Sequence, residues 1–209
     1  MSTDYSKINY KNKNIGSISG CYCPPHKGHY NSFIRVIREF KLDILFIETT
    51  NTDKFSRHGT PLKHTLETLK KWAKCIERVT KAKVYVLDDM TNFAFIPRDI
   101  SHFYMIQIYD EEEESPKQHV LDRTARQFLK QLKKDPFGDD SKRKTTLKDK
   151  VSDGILRREG KISATKFVNC LIDVKGGKKS REECHSFIDH LKKPEMNKYI
   201  DSITAFTLS

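Results

Sequence analysis

The chain has 209 residues, a length that favours one domain large enough to bury a hydrophobic core. Apolar residues make up 36% of it and charged residues 32%, and no apolar run approaches the roughly 20 residues of a membrane-spanning helix. The formal net charge of +11 favours polyanionic partners, such as nucleotides, phosphorylated metabolites, nucleic acid or an anionic membrane surface. Charge does not choose among these partners.

The N-terminal residues 1–14 are polar and lack the apolar stretch of a signal peptide, so a soluble, cytoplasmic protein is expected. The cysteines are odd in number and mostly fall in predicted core elements, which favours reduced thiols. They are Cys21, Cys23, Cys75, Cys170 and Cys184.

The first half of the chain alternates between short apolar runs and longer stretches with helical periodicity. This order predicts an α/β fold with a Rossmann-like parallel sheet of about five strands flanked by helices. The predicted strands lie at 15–22, within 41–51, at 83–87 and at 102–109. The predicted helices run over 27–40 and from Thr60 to about Val79.

The second half is predicted to be mainly helical. An acidic run, a helix over 116–134 and a polar loop make 111–146 an expected insertion beside the sheet core of 15–110. The helical C-terminal part, 147–209, completes one domain over 1–209. Its predicted helices cover 148–158, 163–174 and a segment begun by a capping-box pattern at Ser180 and Glu183. Residues 195–209 stay open between helix and strand.

The junction between the first strand and the first helix concentrates the chemistry-bearing residues. Pro24 and Pro25 end the strand because neither has a backbone N–H for a ladder. The helix begins at Lys27 or Gly28, beside two histidines that are three residues apart. A helix N-terminus presents N–H groups and a positive dipole end, so this junction is suited to phosphate.

The spaced residues of this junction read Gly20-x-Tyr22-x-Pro24-x-His26-x-Gly28-His29. Their order resembles the signature of the nucleotidylyltransferase superfamily with the H-x-G-H motif, whose members usually carry phenylalanine where Tyr22 stands. A second stretch, Ile162-Ser163-Ala164-Thr165-Lys166, resembles the I-S-x-T motif of the same superfamily, which opens a later helix. The order and wide separation of the two motifs also match.

The resemblance implies transfer of a nucleoside monophosphate from a nucleoside triphosphate to a small phosphorylated acceptor, with release of pyrophosphate. His26 and His29 would be the catalytic residues, contacting the triphosphate and stabilising the pentavalent phosphorus. Mg²⁺ would be carried by the triphosphate, and no protein ligand for a metal can be named. The residues expected to bind the nucleotide are Gly20, Tyr22, Lys27, Gly28, Ser163, Thr165 and Lys166.

The residues of the first motif, from Pro24 to His29, resemble those of adenylyltransferases that act on nicotinamide or nicotinate mononucleotide. This resemblance favours ATP over CTP. Two departures are present. The glycine that such members often carry after the fourth strand is absent at 108–110, and Val168 stands where the superfamily often has a cation. Lys166, Arg157 or Arg158 could supply that cation instead.

Several alternatives stay open. A cytidylyltransferase acting on a phosphorylated alcohol, and a nucleotide-binding module that has lost catalysis, both keep the first motif. Nucleic-acid binding is supported by the net charge alone and is not the expected function. Whether the protein forms a homo-oligomer is left open. A zinc site built on Cys21, Cys23, His26 and His29 is disfavoured because the prolines redirect the chain between the two pairs.

Overall fold

The computed structural model describes residues 4–49, 62–87, 99–109, 150–157 and 164–206. These residues form a five-stranded, fully parallel sheet flanked by helices, which confirms the predicted fold class. The strands are β1 (Asn14–Gly20), β2 (Ile44–Thr49), β3 (Lys83–Leu87), β4 (His102–Tyr109) and β5 (Val151–Arg157). The helices are α1 (Lys27–Glu39), α2 (Leu62–Thr80), α3 (Ala164–Lys175) and α4 (Lys193–Phe206), with 3₁₀ helices at Tyr5–Lys7 and Arg181–Phe187.

The strand order is β3-β2-β1-β4-β5, so the chain moves outward on one side of β1 and then returns to its other side. In β1, Ile18 is level with Ile47 of β2 and with Ile106 of β4. The order therefore reverses between β1 and β4. In open parallel sheets, ligands bind outside the carboxyl ends of the strands at such a reversal.

Two apolar layers cover the sheet. On one face Ile18, Leu45 and Ile47 pack against α1 and α2, where Phe33 and Leu69 are fully buried. Burying a side chain of this size contributes about 1.5–3 kcal/mol, so these helices are held to the sheet mainly by that layer. The opposite face has its own cluster, formed by Tyr10, Ile15, Ile44, Phe46, Leu87, Ile100 and Phe103.

The prediction of a helix over 148–158 is wrong, because Val151–Arg157 form the strand β5. Val151 and Leu156 pack on opposite faces of the sheet, while Ile155 is 40% exposed, as the twofold period of a strand requires. Gly154 packs so closely on β4 and α1 that an added Cβ would lie 2.9 Å from Ile106 Cγ1. The apolar spacing of this short run is compatible with either structure, and pairing with β4 decides for the strand.

From Ala164 onward the described residues form helices as predicted, and α4 shows that the described residues from 195 onward are helical. The segment after Ser180 is a 3₁₀ helix, and the Ser180 N–H donates to Glu183 Oε1 at 2.9 Å in the predicted capping box. A disulfide joins Cys170 to Cys184, so the expectation of reduced thiols is wrong for this pair. The other three cysteines are not disulfide-bonded.

The predictions for the insertion at 111–146, and for the helix start at Thr60, lie outside the described residues. Within the described ranges, none of the helices combines the length and the apolar content that crossing a membrane requires.

Candidate functional site

Six residues connect β1 to α1 at the point where the strand order reverses. The loop doubles back, because Tyr22 has a left-handed φ of 48° and its hydroxyl donates to the Ile18 carbonyl at 3.2 Å. This loop conformation requires glycine at position 20, since a Cβ there would lie 2.8 Å from Tyr22 Cζ. A cis peptide bond between Cys23 and Pro24 follows. The loop therefore delivers His26 directly to the start of α1.

His26 and His29 cap the helix through hydrogen bonds from backbone N–H groups to their rings. The Gly28 N–H donates to His26 Nδ1 at 3.1 Å, and the His26 N–H donates to His29 Nδ1 at 3.3 Å. The arrangement is a capping box in which histidines replace the usual residues. The two rings are stacked, with centroids 3.9 Å apart.

These bonds define the tautomer of both rings. A nitrogen that accepts a hydrogen bond carries no proton, so each neutral imidazole is protonated on Nε2. Both rings can therefore donate through Nε2–H to an anionic oxygen. His26 is 3% exposed, whereas His29 is partly exposed and rests edge-on against Tyr22, with centroids 5.2 Å apart.

The backbone at this helix start is more engaged than the sequence suggested. The Gly28 N–H is used by His26 Nδ1, and the His29 N–H donates to the His26 carbonyl at 2.9 Å. Gly28 thus contributes its N–H to the helix cap.

Sequence comparison places this junction in a known family. The profile of the cytidylyltransferase-like family matches residues 18–147, more than half of the chain. The chain belongs to the cytidylyltransferase-like family. The superfamily predicted from the spaced residues is thereby confirmed, and the match includes the whole first motif but ends before β5.

Comparison with curated proteins gave no match. Among solved structures, TmcAL from Thermotoga maritima bound with alpha-thio ATP is 10% identical with a TM-score of 0.47, and the alignment covers 91% of this chain and 55% of TmcAL. The apo form of TmcAL from the same organism is 11% identical with a TM-score of 0.44, covering 92% and 57% respectively. The chain therefore spans little more than half the length of those proteins.

The second motif of this cytidylyltransferase-like chain is described only from Ala164 onward, and Ser163 lies outside the described residues. Thr165 and Lys166 are exposed in the first turn of α3. Val168 is 6% exposed and packs inward, so the position that often holds a cation belongs here to the interior.

The topology brings the second motif to the same edge of the sheet as the first. Because β5 is parallel to β4 and β4 to β1, the carboxyl ends of all three strands face one edge. At about 4.8 Å per strand, β5 lies roughly 10 Å from β1 in the plane of the sheet. The helix α3 starts only seven positions after β5 ends. The strand that replaces the predicted helix therefore ends at the same edge of the sheet as β1.

A C-terminal segment that carries no motif also reaches the site. The Lys27 ammonium makes an ion pair with Asp189, and the Tyr199 hydroxyl donates to the Pro25 carbonyl at 2.6 Å. His190 stacks on Tyr30, with centroids 4.4 Å apart, and meets the edge of Trp72 at 4.6 Å. Sequence reasoning predicted Lys27 but missed Asp189, His190 and Tyr199, because nothing local marks a contact between positions so far apart.

Glu48 is a buried carboxyl at the end of β2, beside the reversal point. It is 3% exposed, accepts a hydrogen bond from Ser17 Oγ and is level with Ser19 of β1. Burial raises the pKa of Glu48, and the hydrogen bonds from the two serines oppose that rise. The carboxyl is thus a structural link between β1 and β2 beneath the loop.

Within the described part of the chain, no group of three or more His, Cys, Asp or Glu side chains could hold a metal ion. Cys23 Sγ lies 3.7 Å from Thr65 Oγ1 on α2, and His26 Nδ1 accepts from Gly28. Cys23 and His26, two residues of the zinc site considered above, are therefore engaged in separate contacts.

Proposed function

We propose that this protein transfers a nucleoside monophosphate from a nucleoside triphosphate to a small phosphorylated acceptor, releasing pyrophosphate. The observation that carries the proposal is the stacked pair His26 and His29, tied to the backbone through Nδ1 at the reversal point of a parallel sheet. Membership of the cytidylyltransferase-like family supports the same reaction class.

In this reaction an acceptor phosphate oxygen attacks the α-phosphorus in line, a new P–O bond forms, and the bond to the pyrophosphate oxygen breaks. The protein supplies position and charge stabilisation, and needs no covalent nucleophile. The Nε2–H groups of His26 and His29 donate to oxygens of the triphosphate as negative charge is redistributed. Since both Nδ1 atoms are tied to backbone N–H groups, the rings are oriented before substrate binds.

The remaining predicted residues act on the triphosphate. Ser163 and Thr165 donate to the β- and γ-phosphates at the start of α3, where the helix dipole adds to their effect. Lys166 supplies the cation that is absent at Val168. Mg²⁺ enters with the triphosphate as part of the substrate, since it prefers phosphate and water oxygens.

The proposed donor is ATP and a possible acceptor is nicotinamide mononucleotide, on the resemblance of the first motif to adenylyltransferases of that kind. The second candidate is cytidylyl transfer from CTP to a phosphorylated alcohol, and membership of the cytidylyltransferase-like family is compatible with either nucleotide.

The test is pyrophosphate release with Mg²⁺ across four nucleoside triphosphates and a panel of acceptors. The panel holds nicotinamide and nicotinate mononucleotides, phosphopantetheine, phosphocholine, glycerol phosphate and sugar phosphates. We expect release with one pair, and loss of that release in His29→Gln. Binding of a triphosphate with no release from any pair would instead favour a module that has lost catalysis.

A further inference from the structure

The pairing of Lys27 with Asp189 is a contact that neither motif explains. Lys27 is the first residue of α1 and follows the catalytic His26, so its ammonium stands beside the proposed phosphate site. In the structure that ammonium is engaged by a carboxylate from the segment between the 3₁₀ helix and α4. The sequence separation is 162 residues.

Asp189 is held in place by its neighbours as well as by the ion pair. His190 lies between Tyr30 of α1 and Trp72 of α2, and Tyr199 reaches the Pro25 carbonyl. These contacts are independent of the charge on Lys27. The carboxylate would therefore stay beside the motif when the ammonium moves away.

The pair is weak enough to exchange. The Lys27 side chain is 26% exposed and that of Asp189 is 51% exposed, so solvent screens their attraction. A triphosphate carries several negative charges and can bond an ammonium with short, charge-assisted hydrogen bonds. A flexible lysine stem allows the ammonium to turn from one anion to the other.

We propose that Asp189 competes with the triphosphate for Lys27 and so sets the affinity of the site for triphosphates. This inference rests on the proposed function, because it requires a triphosphate at the first motif. Asp189 is a positioning residue in this scheme, acting through Lys27 without touching the substrate. Each triphosphate that binds must first displace the carboxylate, and the carboxylate recovers the ammonium when pyrophosphate leaves.

The experiment measures binding by calorimetry, without an acceptor, using ATP and inorganic tripolyphosphate as probes. Asp189→Asn should bind both probes about two- to fivefold more tightly, the effect of releasing one exposed ion pair. The same substitution in a Lys27→Ala background should change nothing, since no ammonium is left to release. Asp189→Glu keeps the charge and should retain the affinity of the natural protein.

Asp201→Asn is the matched control. It removes a carboxylate of similar exposure, 50%, from the ion pair with Arg181 in the same C-terminal part. Its probe affinity should stay unchanged. In turnover, Asp189→Asn should lower KM for the triphosphate and leave kcat unchanged, a split that a merely structural role would not produce.

Unchanged or weaker probe binding in Asp189→Asn would overturn the proposal, as would tightening that persists without Lys27. The two hypotheses fail in different ways. Tighter binding of ATP in Asp189→Asn without pyrophosphate release from any acceptor would reject the transfer reaction and keep the competition. Pyrophosphate release that is abolished in His29→Gln, together with no change of affinity in Asp189→Asn, would do the reverse.

Discussion

The two strand-to-helix junctions at the carboxyl edge of the sheet are built in different ways. Between β1 and α1, His26 and His29 cap the helix through bonds no longer than four positions in sequence, so the local chain makes the geometry. The strand β5, which precedes the second junction, owes its position to pairing with β4. A local junction can be identified from its motif, whereas a junction placed by an edge strand can be located only when the sheet is known.

The largest effect is expected from substitutions that remove the catalytic imidazoles of the first junction but preserve the helix cap. Asparagine is a good N-cap residue and glutamine is the usual partner in a capping box, so His26→Asn and His29→Gln retain the helix start. Each replaces the imidazole ring with a side-chain amide whose N–H donors do not occupy the position of the ring Nε2–H, and we expect kcat to fall by about 10²–10³-fold. Steady-state pyrophosphate release measures this loss. Full activity in either variant, with an unchanged thermal unfolding midpoint, would reject the proposed role of that histidine.

The second prediction tests β5 through the sign of a stability change. If residues 148–158 were helical, Gly154→Ala would stabilise the protein by up to about 1 kcal/mol. In the strand the new Cβ meets Ile106 and Phe40, and we expect a loss of about 1–3 kcal/mol. Denaturant unfolding measures it. Gly176→Ala is the control, because its Cβ would make only an ordinary contact with the Ile172 carbonyl.

The third prediction concerns the attachment of the C-terminal part to the first junction. Burial lowers the pKa of His190 to about 4 from an ordinary 6.5, with Asp189 opposing and Lys27 adding to that shift. Neither ring nitrogen has a hydrogen-bond partner among the described residues. Below pH 6.5 His190 therefore binds a proton in the unfolded chain but stays neutral in the folded protein. The unfolding free energy consequently falls as the pH drops towards 4.

Between pH 7 and pH 5 this single group should cost about 1–2 kcal/mol of unfolding free energy. His190→Phe keeps a stacking ring without a titrating nitrogen, so its stability should depend less on pH by that amount. Parallel curves for the natural protein and the variant would contradict the buried, neutral His190. Because other groups titrate equally in both proteins, the difference between the curves isolates this residue.

The smallest effect is expected from a substitution that tests the contact between the C-terminal part and the loop from β1 to α1. Tyr199→Phe removes the hydroxyl that donates to the Pro25 carbonyl and also bonds the Thr68 side chain, and should lower the unfolding free energy by about 0.5–1.5 kcal/mol. Tyr85→Phe is the control, since its half-buried hydroxyl bonds to none of the described residues. Equal losses in the two variants would show that the Pro25 contact adds nothing to docking of the C-terminal part.

Much of the sheet and the first site could be predicted from local patterns. The strands β3 and β4 begin and end where predicted, and α1 starts at Lys27 because two prolines stop the strand and an apolar period follows. A capping role for the two histidines was the less favoured interpretation, since histidine is not among the preferred N-cap residues. The chemistry of the pair was predicted, but not the bonds that orient it.

Where prediction failed, the deciding partner was distant in sequence. The apolar pattern of β5 is compatible with a short helix, and only the packing of β4 and Phe40 against Gly154 decides for a strand. Similarly, Cys184 reaches Cys170 only when the C-terminal part folds. Asp189 carries no motif, yet it reaches Lys27 because its neighbours dock on α1 and α2.

The amino-acid pattern was sufficient for the fold class, the superfamily and the two histidines, because these depend on periodicity and on spacing within a few residues. The order of the strands, the edge on which the second motif lies and the anion that holds Lys27 required the folded chain. Those features depend on contacts between segments that only packing brings together, and a local sequence pattern contains no record of such a contact.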